Sequence, residues 1–305
     1  MDPFADRLAN LVRERRSPVL VGLDPRFERL PGELTAAVTS GDAKAQADAY
    51  RRFCEGIIDV VASLVAAVKP QLAFFEQLGP AGMDALHATV RYARQRGLLV
   101  ILDGKRNDIG STAIGYADAY LGAESAWGGD ALTVSPYLGQ DSLAPFAEVA
   151  VERGAGIFVL VKTSNPGGAD FQDLVAGNET LYRHVARHVE ELAARSTSAS
   201  GYGAVGAVVG ATYPDQLAEL RQLMPHAWLL VPGFGTQGGT AEDVAAAFDA
   251  DGLGALINAS RSIIFAYDRP EYKDRFGADR WQSAVETATR EMIGQLGKFA
   301  SMRDE

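Results

Sequence analysis

The chain of 305 residues contains a single cysteine, Cys54. No intrachain disulfide is possible, and a reducing compartment, the cytoplasm, is expected. Cys54 falls within the apolar rhythm Tyr50, Phe53, Cys54, Ile57, Ile58, the buried face of a helix, so packing rather than catalysis is its expected role. Positive charge is also short, with a formal net charge of −10. Binding to a phosphate backbone needs basic patches, so nucleic acid is not an expected partner. A small anion remains possible, because a few local Lys and Arg side chains and helix N-termini suffice for one. Long apolar runs are missing too. The stretch Ile57 to Val68 is the most apolar, yet it carries Asp59 and is too short to span a bilayer. The N-terminal MDPFADRLANLVRERR is amphipathic and broken by charge, without the apolar core of a signal peptide. No membrane partner is expected. Histidines number four, and neither a Ser-His-Asp arrangement nor a Cys-His pair emerges. His184 and His188 stand four apart on one helix face, a spacing that can hold metal. They lie in mid-helix without an HExxH context and read as a solvated face. His87 and His226 stand alone.

What the chain does have is rhythm. A helix is expected over Pro3 to Arg15. Short apolar strands follow at Val19 to Leu23, Ala66 to Lys69, Leu98 to Leu102, Ala131 to Val134, Gly156 to Lys162, Ala204 to Val209, Trp228 to Val231 and Ala255 to Asn258. Between them lie helical patterns, among them Ala43 to Leu64, Ala81 to Gln95, a helix ending near Leu121, Ser142 to Arg153 and Glu179 to Arg195. A final helix spans about Asp279 to Phe299. Two long connections stand out, Arg26 to Asp42 and Thr163 to Asn178. Eight βα units without a second domain or a low-complexity segment predict an α/β protein. The expected fold is one (β/α)8 TIM barrel spanning residues 1–305.

In such a barrel the polar groups at strand C-termini converge on one face. Here those groups are Asp24, Lys69, Asp103, Lys105, Ser164 and Arg261. The densest stretch is Leu102 to Thr112, LDGKRNDIGST. Asp103 and Lys105 are two apart and point the same way in extended chain, and Asp108 follows three residues later. Charges at a buried strand end are costly unless paired. A structural ion pair is the plainer explanation, but strand ends are where barrels build their sites. Lys69 is a second lysine at a strand end, and lysine is almost never buried unpaired. A carboxylate-rich strand end can also hold Mg2+, but two lysines in the cluster favour charge balance without a metal. After the seventh strand comes Pro232-Gly-Phe-Gly-Thr-Gln-Gly-Gly. Gly233, Gly235 and Gly238 match GxGxxG, yet that fingerprint belongs in a first βαβ unit, and here only one strand remains. The better reading is a phosphate cradle of exposed backbone N–H groups, with Arg261 forking onto phosphate oxygens.

The form DGKRNDIGSTA, an Asp-x-Lys-x-x-Asp-Ile motif after a third strand, resembles orotidine 5'-phosphate decarboxylases, and in particular their longer-chain, mycobacterial-like (type 2) subgroup. The likeness extends from about Val19 to Phe265 and holds at five strand ends. It implies a cofactor-free, metal-free carboxy-lyase that converts orotidine 5'-phosphate to UMP. Lys69, Asp103, Lys105 and Asp108 would form a charged catalytic tetrad in which Lys105 protonates pyrimidine C6. Asp24 would bind the ribose hydroxyls, Ser164 the pyrimidine, and Pro232 would line the base pocket. Gln237 would bridge base and phosphate, and Gly235 and Arg261 would hold the phosphate. Asp108, Ile109 and Thr112 would reach into the neighbouring subunit's site, which implies a homodimer. Two other readings remain at this point. One is a Mg-dependent sugar-phosphate decarboxylase or aldolase of the same superfamily, and the other is a non-catalytic nucleotide-binding barrel.

Overall fold

The computed structural model describes residues 2–235, 238–277 and 279–300. Among them, eight parallel strands close into a barrel. They are β1 (Val19–Leu23), β2 (Ala67–Pro70), β3 (Leu99–Arg106), β4 (Ala131–Val134), β5 (Gly156–Lys162), β6 (Val205–Val209), β7 (Leu229–Val231) and β8 (Ala255–Ala259). Each strand pairs with its successor, and β8 returns to β1. The longer helices are α1 (Phe4–Arg15), α2 (Ala43–Val61), α3 (Gly79–Gln95), α4 (Gly110–Tyr120), α5 (Gln140–Glu152), α6 (Leu181–Arg195), α7 (Pro214–Leu223) and α8 (Trp281–Leu296). None of the described helices is long and apolar enough to cross a membrane.

Strand alternation divides the apolar residues into two cores. Val19, Val21, Val68, Val100, Leu102, Leu132 and Ile257 face outward into the shell beneath the helices. Leu20, Ala67, Leu99, Ile101, Ala131, Leu230 and Leu256 face inward. The lower mouth of the barrel is closed by α1, whose Phe4, Leu8 and Val12 join the inward core. Phe4 meets Phe158 edge to face at 6.0 Å. With the floor plugged by apolar side chains, the next inward positions at the upper ends of β2, β3 and β4 are Lys69, Asp103 and Thr133. Period two alone therefore carries the polar residues to the C-terminal mouth.

Pro25 agrees with the end of β1 at Leu23, since its ring offers no ladder N–H. The Arg26 to Asp42 connection is better built than its punctuation suggests. It holds a turn at Phe27–Arg29 and a short helix at Gly32–Thr35, and it buries Leu30 and Leu34 in the outer core. Trp281 Nε1 donates to Glu33 at 2.8 Å, which ties the connection to α8. The expected helix start at Glu179 is displaced, because Glu179–Thr180 pairs with Val175–Ala176 in a small antiparallel hairpin and α6 begins at Leu181. Helices outside the sequence expectations include Leu72–Glu76, α7 and Pro270–Phe276.

Candidate active site

Asp103 is the hub. Its Oδ2 accepts from Lys69 Nζ at 2.6 Å and from Gln71 Nε2 at 3.0 Å. Its Oδ1 accepts from Lys105 Nζ at 2.6 Å and from Thr133 Oγ1 at 2.9 Å. A carboxylate has about four lone-pair sites, so this one is fully used. The Lys69 and Asp103 side chains are only 5% and 9% exposed, whereas Lys105 is 48% exposed. Burial alone would push the Asp103 carboxyl up, but the Lys69 and Lys105 ammonium groups overcome it and hold Asp103 well below the usual carboxylate range. Burial would likewise push Lys69 down, but Asp103 and then Asp24 outweigh it and hold Lys69 above its ordinary value. Both groups are therefore charged at neutral pH.

Lys105 reaches Asp103 by a route that strand alternation did not anticipate. The strand continues to Arg106, beyond the expected end at Leu102. Its register with β4 shifts between Leu102 and Arg106, which pair with Leu132 and Val134. Four steps of β3 thus face two of β4, a bulge that re-aims a side chain. Within it Lys105 takes φ 45°, one of two non-glycine positive φ values among the described residues. Such a conformation costs about 1 kcal/mol or more and persists only where its surroundings impose it. Thr133 Oγ1 does so by accepting the Lys105 backbone N–H at 2.9 Å. Gln71 and Thr133 were missed in the sequence. The visible signals were modest, Gln71 two residues past Lys69 and Thr133 two past the inward Ala131.

Above this floor lies a cleft of about 480 Å³, a volume suited to a small ligand. Lys69, Asp103, Lys105 and Thr133 line one side, and Leu160, Val208, Leu230 and Pro232 make an apolar flank. Ser164 and the loop after β5 complete it, through Asn165, Phe171 and Gln172 among others. The loop is anchored. Gln172 accepts from the Thr163 N–H at 2.9 Å and donates to Thr163 Oγ1 at 2.8 Å, while buried Lys162 pairs with Asp173. Its lining residues had no motif to mark them in the sequence.

The remaining expected residues divide. Ser164 and Pro232 share the cleft with Lys69, Asp103 and Lys105. Asp24 acts electrostatically on Lys69, and its buried Oδ1 has no hydrogen-bond partner. Asp108 does not join the cluster within this chain. Its Oδ1 accepts from the Ile109 N–H at 2.8 Å. Ile109 and Thr112 face outward. Arg261 opens a short helix after β8 and is exposed. A Cβ on Gly235 would stand 3.8 Å from Ser262 Oγ, so the glycine turn does adjoin the loop after β8. The expected cradle needs correction at two amides. The Gly235 N–H donates to Gly239 O and the Gly238 N–H to Gly235 O, each at 2.9 Å, so neither is free. Gln237 lies outside the described residues. His184 contacts Ala176 O and His188 contacts Gln140, separate partners for the two rings.

Comparison with known proteins places this geometry in context. The family model described as "Orotidine 5'-phosphate decarboxylase / HUMPS family" matches residues 17–274. A Rhodopirellula baltica protein named orotidine 5'-phosphate decarboxylase is 57% identical over 300 residues, covering 97% of this chain and 99% of that one. One of the same name from Deinococcus radiodurans is 44% identical over 264 residues, covering 86% and 89%. Among solved structures, Leishmania donovani OMP decarboxylase superposes with a TM-score of 0.74 at 34% identity, covering 99% of this chain and 100% of that one. A Streptomyces avermitilis structure provisionally given the same enzyme name reaches 0.82 at 34% identity, covering 99% and 97%.

Proposed function

Since the chain belongs to the orotidine 5'-phosphate decarboxylase family, we infer that it is an orotidine 5'-phosphate decarboxylase, a carboxy-lyase releasing CO2 and UMP in pyrimidine biosynthesis. The observation that carries this reading is the charge cluster Lys69–Asp103–Lys105 on the floor of the cleft.

We further propose the roles of the residues. When the bond between pyrimidine C6 and its carboxylate breaks, the electron pair stays on C6 in the ring plane, where the π-system cannot delocalise it. Stabilisation must then be electrostatic. Lys105 supplies the nearest positive charge and then donates a proton to C6. Asp103 fixes the Lys105 ammonium from below, and Lys69 keeps Asp103 ionised. Asp24 serves the ribose, Ser164 and Pro232 the base, and Gln237 and Arg261 the phosphate, which holds the substrate by a part remote from the reacting carbon. A metal-free reaction is supported by Asp103 itself, whose oxygens already accept from four donors. A Mg2+ ion in the cluster would have to displace them.

We propose a homodimer in which Asp108, Ile109 and Thr112 serve the partner's site. Supporting this, Asp108 bonds to the Ile109 N–H rather than to its own cluster, and Ile109, Ile114, Tyr137 and Leu138 are large apolar residues left exposed nearby in the chain. We also place the protein in the longer-chain, mycobacterial-like subgroup, on the strength of its Arg26–Asp42 and Thr163–Asn178 segments. We locate it in the cytoplasm, given one buried, unpaired cysteine. The acidic balance supports a partner list of nucleotide and second subunit, without nucleic acid or membrane. The deciding assay follows loss of orotidine 5'-phosphate with and without EDTA. Turnover indifferent to EDTA is expected. Inhibition by EDTA would favour the Mg-dependent relatives, and UMP binding without turnover a non-catalytic barrel.

A further inference from the structure

We propose that Asn258 is a further substrate-contact residue, whose Oδ1 accepts a hydrogen bond from a ribose hydroxyl of the bound nucleotide. This rests on the decarboxylase reading above. On β8, Ile257 and Ala259 pack in the outer core and Leu256 in the inner one. Asn258 alternates with them, so it faces the barrel interior one level above Leu256, at the C-terminal mouth. It is 8% exposed, and its Oδ1 is buried without a hydrogen-bond partner. Few buried polar atoms are left so, because an unmade bond at a dry acceptor is costly. The neighbouring strand contributes no side chain beside it, and Ser260 occupies that space. β1 and β8 pair with Leu20 opposite Asn258, and at the next inward position stands Gly22. A Cβ there would lie 3.4 Å from Asn258 Oδ1 and 1.9 Å from Ser260 Oγ. One inward step further is Asp24, whose Oδ1 is also buried and unpartnered. Two orphaned acceptors thus stand at one side of the mouth, one on β8 and one just past β1.

The chemistry of the ligand selects what completes them. The phosphate and the C6 carboxylate only accept. The donors are the ring N–H and the two ribose hydroxyls. The base is assigned to Ser164 after β5, three strands round the barrel from β8. Asn258 instead lies between Asp24, just past β1, and the segment carrying Arg261, which is where a ribose joins base to phosphate. Two acceptors then meet two hydroxyls.

The test compares orotidine 5'-phosphate with its 2'-deoxy and 3'-deoxy analogues on the wild type, Asn258→Ala and Asn258→Leu, the latter filling the volume. The expected result is that kcat/KM for the parent falls about three- to tenfold, the scale of one hydrogen bond. One deoxy analogue should be unaffected by either substitution, so the preference for the matching hydroxyl shrinks by the same factor. Ratios between substrates on one preparation do not depend on the folded fraction. Equal slowing of all three substrates, or no slowing, would overturn the assignment and leave Asn258 a packing or water-holding residue. If the wild type turns over none of them, the decarboxylase reading fails separately. Titration with UMP and its deoxy forms then still decides whether Asn258 senses a hydroxyl.

Discussion

Replacing Asp103 with leucine should expose how the site is held together. The substitution keeps the heavy-atom count and the branching at Cγ but removes the acceptor for Lys69, Lys105, Gln71 and Thr133. Lys105 is half exposed and can turn to water. Lys69 cannot, since its side chain is 5% exposed. An ammonium left unpaired at such a site costs about 3–5 kcal/mol. At about 2 °C per kcal/mol for a chain of this size, the melting temperature should fall by roughly 6–10 °C at neutral pH. The pH dependence carries the sharper test. In the wild type Lys69 titrates above its ordinary value of 10.5, so its contribution is present below that value and is lost as pH rises through the folded pKa. Asp103 is depressed below 3.8, so its contribution is present above 3.8 and is lost only as pH falls through the folded pKa. Both terms are therefore constant from about pH 5 to 10. In Asp103→Leu, burial of Lys69 has lost its main counterweight, and its folded pKa drops below the unfolded one. The unfolded chain then binds the extra proton, and the variant gains stability as pH rises toward 10. Urea unfolding at steps between pH 6 and 10 should show the gap to wild type narrowing. The double variant Lys69→Met with Asp103→Leu should recover much of the loss, because an apolar pair pays no desolvation. A gap that is flat with pH and below about 1 kcal/mol would refute the reasoning, since Lys69 would then be reaching solvent.

Three further outcomes are expected. Lys105→Ala should lower turnover by more than about a thousandfold, because proton donor and nearest positive charge go together, while calorimetric UMP binding survives. A modest loss would assign the proton to another group. Arg261→Ala should weaken capture of orotidine 5'-phosphate, at about 1.5–3 kcal/mol per charge-assisted bond. It should spare orotidine lacking the phosphate, and equal slowing of both would remove Arg261 from the phosphate site. Finally, mixing inactive Lys105→Ala and Asp108→Ala proteins under subunit exchange should restore about a quarter of wild-type activity, since half the dimers are mixed and each holds one intact site. Continued inactivity after verified exchange would mean that Asp108 serves its own subunit.

The barrel was legible because its strands are buried on both faces, so each reads as a short continuous apolar run. The run Val19 to Leu23 returned as β1 without change, since Pro18 and Pro25 bracket it. Lys69 and Asp103 were legible for the same reason, as charges that interrupt buried strands. What escaped was set by tertiary context. The Pro214–Leu223 helix was not anticipated, and only Leu217 and Leu220 of it are fully buried. The Leu72–Glu76 helix is a single short turn, too brief for helical periodicity to register. The free-amide expectation for Gly235 failed because a glycine turn folded tightly enough to aim at a ligand also closes hydrogen bonds on itself. The extension of β3 past Leu102 was hidden because Gly104, Lys105 and Arg106 have no strand-like composition. Pairing with β4 imposes their conformation.

That bulge supports the proposed assignment of the reacting ammonium to Lys105 rather than Lys69. Both lysines contact Asp103 at 2.6 Å, so proximity to the carboxylate does not distinguish them. Their surroundings do. Lys69 arrives by ordinary strand alternation, is sealed from solvent, and is held above its usual pKa by Asp103 and Asp24. A group so placed keeps its proton and acts as a fixed charge. Lys105 stands on a strained backbone at φ 45°, half exposed at the mouth of the cleft. Its ammonium is open both to the cleft and to water. The strain is held by one backbone bond to Thr133 Oγ1, and Thr133 also donates to Asp103. Thr133 thus couples the conformation of Lys105 to the hub that fixes Lys69. Asp103 then has a double task. It cancels the burial cost of one lysine and holds the other, so the same carboxylate supports the fold and the proposed chemistry. A site built this way separates holding charge from moving it, as an enzyme must when the charge it stabilises appears only at the moment a carbon–carbon bond breaks.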